Sequence, residues 1–424
     1  MLRLATSGSV DDGKSTLIGR LLFDSKQVLA DQLEHVERVS EKRGDGYVNL
    51  ALLTDGIRAE REQGITIDVA SRCFQTARRT FIIADAPGNV QYTRNMVTGA
   101  STADLSIVLV DARAGVVEQS KRHAYIASLL RIPHLVVAVN KMDLVDFDEA
   151  VYERIRAEFL DFASGLDFTE LTFIPVSALD GDNVVDVSER TPWYDGPSLL
   201  EHLEQVEIAA DRNLDDLRLP VQWVIRPQSA EHHDFRGYAG RLAGGVVSVG
   251  DDVVVAPSGR RTRIRAVHGQ SGPTEEAVTP TSVTVELEDQ IDVSRGDLIC
   301  DPTSAPAPVR ELTADICWMA DAPLGLGGRY VLKHTTRTVR AIVEAIEHRV
   351  DVHTLAPEDT TELGLNDIGC VRLRLSAPLV VDPYSRNRDT GSFIVIDEAS
   401  GDTVGAGMVH AAGRPGVHAR PVNR

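Results

Sequence analysis

Cysteine is scarce: four in 424 residues, with no C-x-x-C pair and no His at zinc-finger spacing. That argues against disulfides and against a metal site, so Cys73, Cys300, Cys317 and Cys370 read as reduced or buried thiols. Aromatic residues make up only 5% of the chain, so its cores must rely on Val, Leu, Ile and Ala. No apolar run approaches the roughly 18 residues that a membrane-spanning helix requires. The opening Met1-Leu2-Arg3-Leu4-Ala5-Thr6 carries no signal-peptide pattern. A cytoplasmic protein without membrane contact is expected. Positive charge is also short, with 44 Lys plus Arg against 63 Asp plus Glu and a formal net charge of -19. Such a chain repels polyanions, which argues against a general nucleic-acid binder.

What remains is an ordinary globular balance, 43% hydrophobic and 25% charged, over a length that predicts two or three domains. Residues 1–212 alternate short apolar runs with helical patterns. TFIIA (80–84), LSIVLV (105–110) and LVVAV (135–139) read as strands buried on both faces. Helical spacing falls between them, for example over 120–130. This predicts an α/β domain with a mostly parallel sheet. SLLEHLEQVEI (198–208) reads as its closing helix, followed by a polar link, AADRNLDDLRLP (209–220). Beyond it, period-two alternation and turn signals dominate, as in VRLRL (371–375). The Pro/Ala stretch 301–308 divides this part into two small β-barrel domains, 213–308 and 309–411, with a tail over 412–424.

The chemistry-bearing motifs all lie in the first domain. Gly8-Ser9-Val10-Asp11-Asp12-Gly13-Lys14-Ser15-Thr16 fits G-x-x-x-x-G-K-[ST], preceded by a strand and followed by helical spacing at Leu17, Ile18, Leu21 and Leu22. Its glycines let backbone N–H groups turn toward a polyphosphate at a helix N-terminus. Lys14 would reach the β- and γ-phosphates, and Ser15 would ligate Mg²⁺. Asp85-Ala86-Pro87-Gly88-Asn89 follows a buried strand. There Asp85 would hold Mg²⁺ through water, and the Gly88 N–H would approach the γ-phosphate. Asn140-Lys141-Met142-Asp143 follows another strand. A carboxylate at Asp143 selects guanine through N1–H and the 2-amino group, Asn140 serves the N7 edge, and the Lys141 stem packs on the base. Ser177-Ala178-Leu179 is placed to offer a backbone N–H to O6. Thr66, in Gly64-Ile65-Thr66-Ile67, would complete the Mg²⁺ shell when the γ-phosphate is present. In this order and spacing the pieces predict a Mg²⁺-dependent GTPase.

The pieces resemble the translational GTPase superfamily, in which elongation-factor-Tu-like proteins join a GTPase domain to two β-barrels. Translation factors carry His where Asp12 stands here. With GSVDDGKSTLIGRLLFDSKQV, QYTRNMVTGASTAD (91–104), TPWYDGPSLLEHLE (191–204) and DFRGYAG (234–240), the chain is similar to the GTPase subunits of bacterial ATP sulfurylase, the sulfate adenylyltransferase subunit 1 family. The resemblance spans residues 2–411. It implies a heterodimer or higher complex with a catalytic subunit, sulfate adenylyltransferase subunit 2, that carries the ATP and sulfate site. GTP hydrolysis would drive formation of adenosine 5′-phosphosulfate and diphosphate. Adenylylsulfate kinase is a further partner, fused in some relatives; the chain reads as a stand-alone subunit or a fragment of such a fusion. The alternative is a translation-type GTPase delivering a tRNA or another ligand.

One position departs from the pattern. Asn89 stands where most relatives have the His that orients the attacking water, so nucleotide binding carries over and hydrolysis is put in question; the catalytic set is Lys14, Thr66, Gly88 and Asn89. Other features have plainer readings. His232-His233 are expected to be solvated or interface residues rather than metal ligands. Arg260, Arg261, Arg263 and Arg265, like Lys333, Arg337 and Arg340, read as solvated strand faces.

Overall fold

The computed structural model describes residues 1–43, 47–53, 70–85, 93–208, 212–227, 235–351 and 354–410. Two compact units result, one built on residues 1–208 and one on the β-rich remainder.

The first unit is a six-stranded sheet. Its strands are β1 (Leu2–Ser7), β2 (Ala70–Gln75), β3 (Thr80–Asp85), β4 (Leu105–Asp111), β5 (His134–Asn140) and β6 (Glu170–Pro175), in spatial order β2-β3-β1-β4-β5-β6. All neighbouring pairs are parallel except β2–β3 at the edge. Every residue of β4 and β5 is buried, as their continuous apolar runs predict. Between the strands lie α1 (Lys14–Asp24), α2 (Ala30–Arg43), α3 (Thr93–Ala100), α4 (Glu118–Leu129) and α5 (Glu149–Ala163), and α6 (Leu199–Gln205) follows the last of them. Helix α1 buries Lys14, Leu17, Ile18 and Leu21, one face at helical spacing, against a core that includes Leu4, Ile83, Leu109 and Ile174. Asp148 caps α5 by accepting the Ala150 N–H (2.8 Å), and Ser198 caps α6 by accepting the Glu201 N–H (3.3 Å).

Because β1 lies between β3 and β4, successive crossovers leave it toward opposite sides. That is a topological switch point, where parallel sheets open a crevice at the carboxyl ends of their strands.

The second unit is antiparallel throughout. Around one core, including Leu219, Tyr238, Val253, Val285 and Ile299, the segment 218–225 pairs with Leu298–Cys300 through its first half. Its second half pairs with Gly237–Arg241, which closes the sheet. The other core, including Ile316, Trp318, Leu332, Val371 and Phe393, sits in a closed ring of six long strands. Pro308–Trp318 opens that ring directly after the Pro/Ala stretch.

The polar tract 209–220 is not wholly a link. Arg218–Pro220 is a barrel strand, with Asp216 and Arg218 buried at 5% and 0% exposure. Arg218 forks onto Asp382, Nε to Oδ2 at 2.9 Å and Nη2 to Oδ1 at 3.1 Å, and also donates to the Ser304 carbonyl (2.6 Å). Thr390 donates to the same carboxylate at 2.6 Å. Beside it, Arg386 forks onto Asp216 at 2.8 and 2.6 Å. Paired and hydrogen-bonded this way, the tract's charges can sit inside, which no local pattern predicts.

The arginine-rich strand Arg260–Gly269 exposes Arg260, Arg261, Arg263 and Arg265 while burying Thr262 and Ile264, a solvated face as expected. Lys333 and Arg340 are exposed and Arg337 is half-buried near Asp297 (3.5 Å). His232 and His233 lie outside the described residues.

Candidate nucleotide-binding site

The predicted loops converge on one edge of the first sheet. Residues 8–13 follow β1, Asp85 ends β3, Asp111 ends β4, Asn140 ends β5, and Ser177 follows β6. All five strands are parallel, so these positions share the carboxyl rim, beside the switch point. Thr66, Ala86, Pro87, Gly88 and Asn89 lie outside the described residues.

Gly13 caps α1 with φ 89°, in the left-handed region where a side chain is strained. A Cβ there would also come within 2.4 Å of the Asn140 amide nitrogen. Glycine is thus required both by the turn and by close packing of β5 against the loop. Asn140 Nδ2 donates to the Asp12 carbonyl (2.7 Å), and Asn140 Oδ1 accepts the Ala178 N–H (2.9 Å). One buried amide therefore ties the phosphate loop, β5 and the segment after β6 together. Of the Ser177–Leu179 N–H groups expected to reach a base oxygen, that of Ala178 is here donated to Asn140.

Asp143 is half-buried, and its Oδ1 accepts the Ser177 hydroxyl (2.7 Å). That bond fixes one carboxylate oxygen and aims the group. Lys141 takes a left-handed conformation (φ 64°), and its ammonium contacts the Asp11 carbonyl and Asp111 Oδ2, the latter at 2.9 Å. Lys14 is buried, with its ammonium against Asp85 Oδ1. Asp85 also lies 3.5 Å from the Thr6 hydroxyl. A carboxylate and the Ser15 hydroxyl at the head of α1 are hard oxygen donors, the ligand type that Mg²⁺ takes.

Electrostatics sharpen the rim. Burial pushes the Asp12 carboxyl up to about 6, opposed by the Ser9 N–H bond (2.6 Å) and aided by the neighbouring Asp111. Burial pushes Asp111 the same way, but hydrogen bonds from Arg113 and Lys141 outweigh it and hold that group near 2. Two carboxylates on one rim are thus driven apart. His123, wholly buried in α4, is pushed down to about 3 by desolvation and then by the positive charges of Lys14 and Arg122.

Sequence reasoning missed two supports. Asp111 braces Lys141 and pairs with Arg113 (2.7 Å). Arg20, in α1, donates to the carbonyls of Ala178 (3.3 Å) and Leu179. Asp111 could have been found, because it ends the LSIVLV run as Asp85 ends its own. Arg20 carries no local signal.

Comparison with known proteins agrees with this architecture. Residues 1–208 match the elongation factor Tu GTP-binding domain, and residues 311–410 match the GTP-eEF1A C-terminal domain-like family. The bifunctional enzyme CysN/CysC of Mycobacterium tuberculosis is 60% identical over 411 residues, 96% of this chain and 67% of that one. Sulfate adenylyltransferase subunit 1 of Alteromonas mediterranea is 52% identical over 96% of this chain and 86% of its own length. The same subunit of Laribacter hongkongensis is 53% identical over 97% and 85%. The chain belongs to the sulfate adenylyltransferase subunit 1 family, within the elongation-factor-Tu-like GTPases.

Proposed function

We propose that the chain is the Mg²⁺-dependent GTPase subunit of a sulfate adenylyltransferase, coupling GTP hydrolysis to the reaction of ATP and sulfate to adenosine 5′-phosphosulfate and diphosphate. The observation that carries this reading is the convergence of phosphate loop, Asp85, Asn140, Asp143 and Ser177 on one rim of a parallel sheet. The relatives named above supply the sulfate chemistry; the translation-type alternative is not favoured by them.

In this reading the N–H groups of residues 8–13 and the Lys14 ammonium neutralise the triphosphate. Lys14 must then exchange its Asp85 contact for phosphate oxygens. Ser15 and Thr66, with Asp85 through water, would hold Mg²⁺, which supplies charge neutralisation between the β- and γ-phosphates. Asp143, aimed by Ser177, accepts from guanine N1–H and the 2-amino group. Water attacks the γ-phosphorus in line, the bond to the β-γ bridging oxygen breaks, and GDP leaves. Asn89 stands where an imidazole would orient that water; a neutral amide orients it but takes no proton.

The partner is the subunit that carries the ATP and sulfate site. Co-purification with that subunit, followed by an assay of adenylylsulfate formation with and without GTP, tests the reading. Synthesis that is indifferent to GTP overturns it. Single-turnover hydrolysis by the wild type and Asn89→His tests residue 89; equal rates in the isolated chain would remove it from control of the water.

A further inference from the structure

The closed six-stranded barrel carries a cluster that the GTPase reading does not use. Asp315, in Pro308–Trp318, lies directly across from Cys370, in Ile368–Val380. Cys370 in turn lies across from His348, in Arg337–Val350. Residues opposed across strands project to the same face, so the three make one row. Their chain neighbours Ala314, Ile316 and Val371 face the barrel core, so the row occupies the other face.

His410 follows the last strand, Thr403–Val409, and is anchored by its N–H donating to the Thr313 carbonyl at 2.9 Å. Its ring reaches both Asp315 and Cys370. Nδ1 is 3.9 Å from Cys370 Sγ, and Nε2 is 2.8 Å from Asp315 Oδ2. One ligand atom from each of Asp315, Cys370 and His410 lies within 4.8 Å of the others, and among the described residues no other such trio of His, Cys, Asp or Glu occurs. The site is buried: Cys370 is 1% exposed and the His410 side chain 5%.

The Cys370–His410 edge lies at the reach of a weak S···N hydrogen bond, whereas the carboxylate edge is not an aligned one. His410 Nε2 is buried and close to a carboxylate oxygen, yet makes no aligned hydrogen bond. Zinc bonded to sulfur at about 2.3 Å and to nitrogen at about 2.0–2.1 Å, at the tetrahedral angle, separates those donors by roughly 3.6 Å. Nδ1 stands 3.9 Å from the sulfur, near that edge, while the carboxylate lies on the Nε2 side, so one ion gathers all three once the imidazole turns to present a single nitrogen to both. A thiolate and an imidazole select zinc-class ions over Mg²⁺ or Ca²⁺, which prefer oxygen donors throughout. A nucleophilic Cys-His-Asp relay uses the same three residue types, but it needs a sulfur that substrate can reach, and this one is covered.

We propose that Asp315, Cys370 and His410 bind one divalent transition-metal ion of the zinc class. The ion would cross-link two ring strands and the segment that follows the last one. The site departs from the sequence reading, which argues against a metal at the cysteines: the ligands are 55, 40 and 95 residues apart in pairs, at no motif spacing. The proposal is independent of the GTPase reading.

The test uses the full chain, stripped of metal by a chelator and titrated with Co²⁺ alone. The expected result is one equivalent bound with a thiolate-to-cobalt charge-transfer band and the visible bands of tetrahedral cobalt, displaced by Zn²⁺. Oxygen-only binding at the nucleotide site gives neither feature. Cys370→Ser should abolish the charge-transfer band and weaken Co²⁺ binding by more than about tenfold; His410→Gln should weaken binding similarly, so the test stands even if one variant misfolds by circular dichroism. Absence of a thiolate band in the wild type overturns the proposal. So does a band that survives in folded Cys370→Ser, which would place the metal on another cysteine such as exposed Cys73.

Discussion

The two units of this protein use charge in opposite ways. In the first, Asp12, Lys14, Asp85, Asp111, Lys141 and Asp143 gather at the strand ends of one sheet. Lys14 holds Asp85, a contact that under the proposed function it would exchange for phosphate oxygens. In the second, Arg218, Asp382, Asp216 and Arg386 satisfy one another almost completely, and Arg218 is wholly buried. A charge meant for a ligand is left re-routable; a charge meant for the fold is saturated. Truncation should therefore cost activity in the first unit, with a local stability cost where Lys14 leaves buried Asp85 unpaired, and stability without chemistry in the second.

The largest expected effect follows from the first half of that contrast. Lys14→Ala removes the ammonium that the proposed function assigns to the β- and γ-phosphates and should lower GTP-dependent adenylylsulfate synthesis by about 10²–10³-fold or more. Urea unfolding of the barrels, followed by amide exchange, should not move. A fully active variant would show that Lys14 serves the fold, as Arg218 does. The second effect inverts this. Arg218→Met leaves Asp382 buried without its cation, which should cost about 3–5 kcal/mol of barrel stability. GTP affinity, measured on the intact chain, should stay the same. Arg218→Met combined with Asp382→Leu should recover most of the loss, because the orphaned charge is then gone.

The same contrast explains what could be read from sequence. The phosphate loop, Asp85 and residues 140–143 are built on contiguous backbone after apolar strands, so each announces itself within about ten residues. The sheet was legible for the same reason: LSIVLV and LVVAV became β4 and β5 with at most one residue added at either end. Helix α4 begins at Glu118, two residues before the expected 120. The polar tract 209–220 misled because its charges find partners 164 and 170 residues away, at Asp382 and Arg386. Asp315, Cys370 and His410 were invisible on the same ground. Spacing reports on neighbours in the chain, and these sites are made by neighbours across strands.

A smaller effect sharpens the ligand side of the comparison. Asp143→Asn replaces a double acceptor by a group that also donates, which should weaken GTP by about 1–3 kcal/mol and favour xanthosine triphosphate, whose 2-oxo group accepts. Competition binding with the two nucleotides measures it directly. Ser177→Ala should show a fraction of the same loss, since Ser177 only aims the carboxylate (2.7 Å). Equal GTP affinity in wild type and Asp143→Asn would remove Asp143 from base recognition.

The smallest effect concerns His123, a titratable group of the first unit that behaves like those of the second. It is wholly buried, and desolvation together with Lys14 and Arg122 holds its pKa near 3, below the ordinary 6.5. The folded chain therefore keeps it neutral while the unfolded chain takes up a proton below pH 6.5. Its contribution to stability is fully present above that pH and is lost as the pH falls from 6.5 toward 3. At pH 5.5 the loss is about 1.3 kcal/mol relative to pH 7, for one proton bound only by the unfolded state. His123→Gln cannot protonate, so it should flatten this part of the acid limb while keeping an amide near Gln119, which lies 3.3 Å from the imidazole. Amide exchange in β4 (Leu105–Asp111), measured at pH 7 and pH 5.5 and corrected for intrinsic exchange, isolates the first unit from the barrels. If wild type and variant lose stability equally between those two pH values, His123 is already charged in the fold or open to water, and its burial does not govern the acid response.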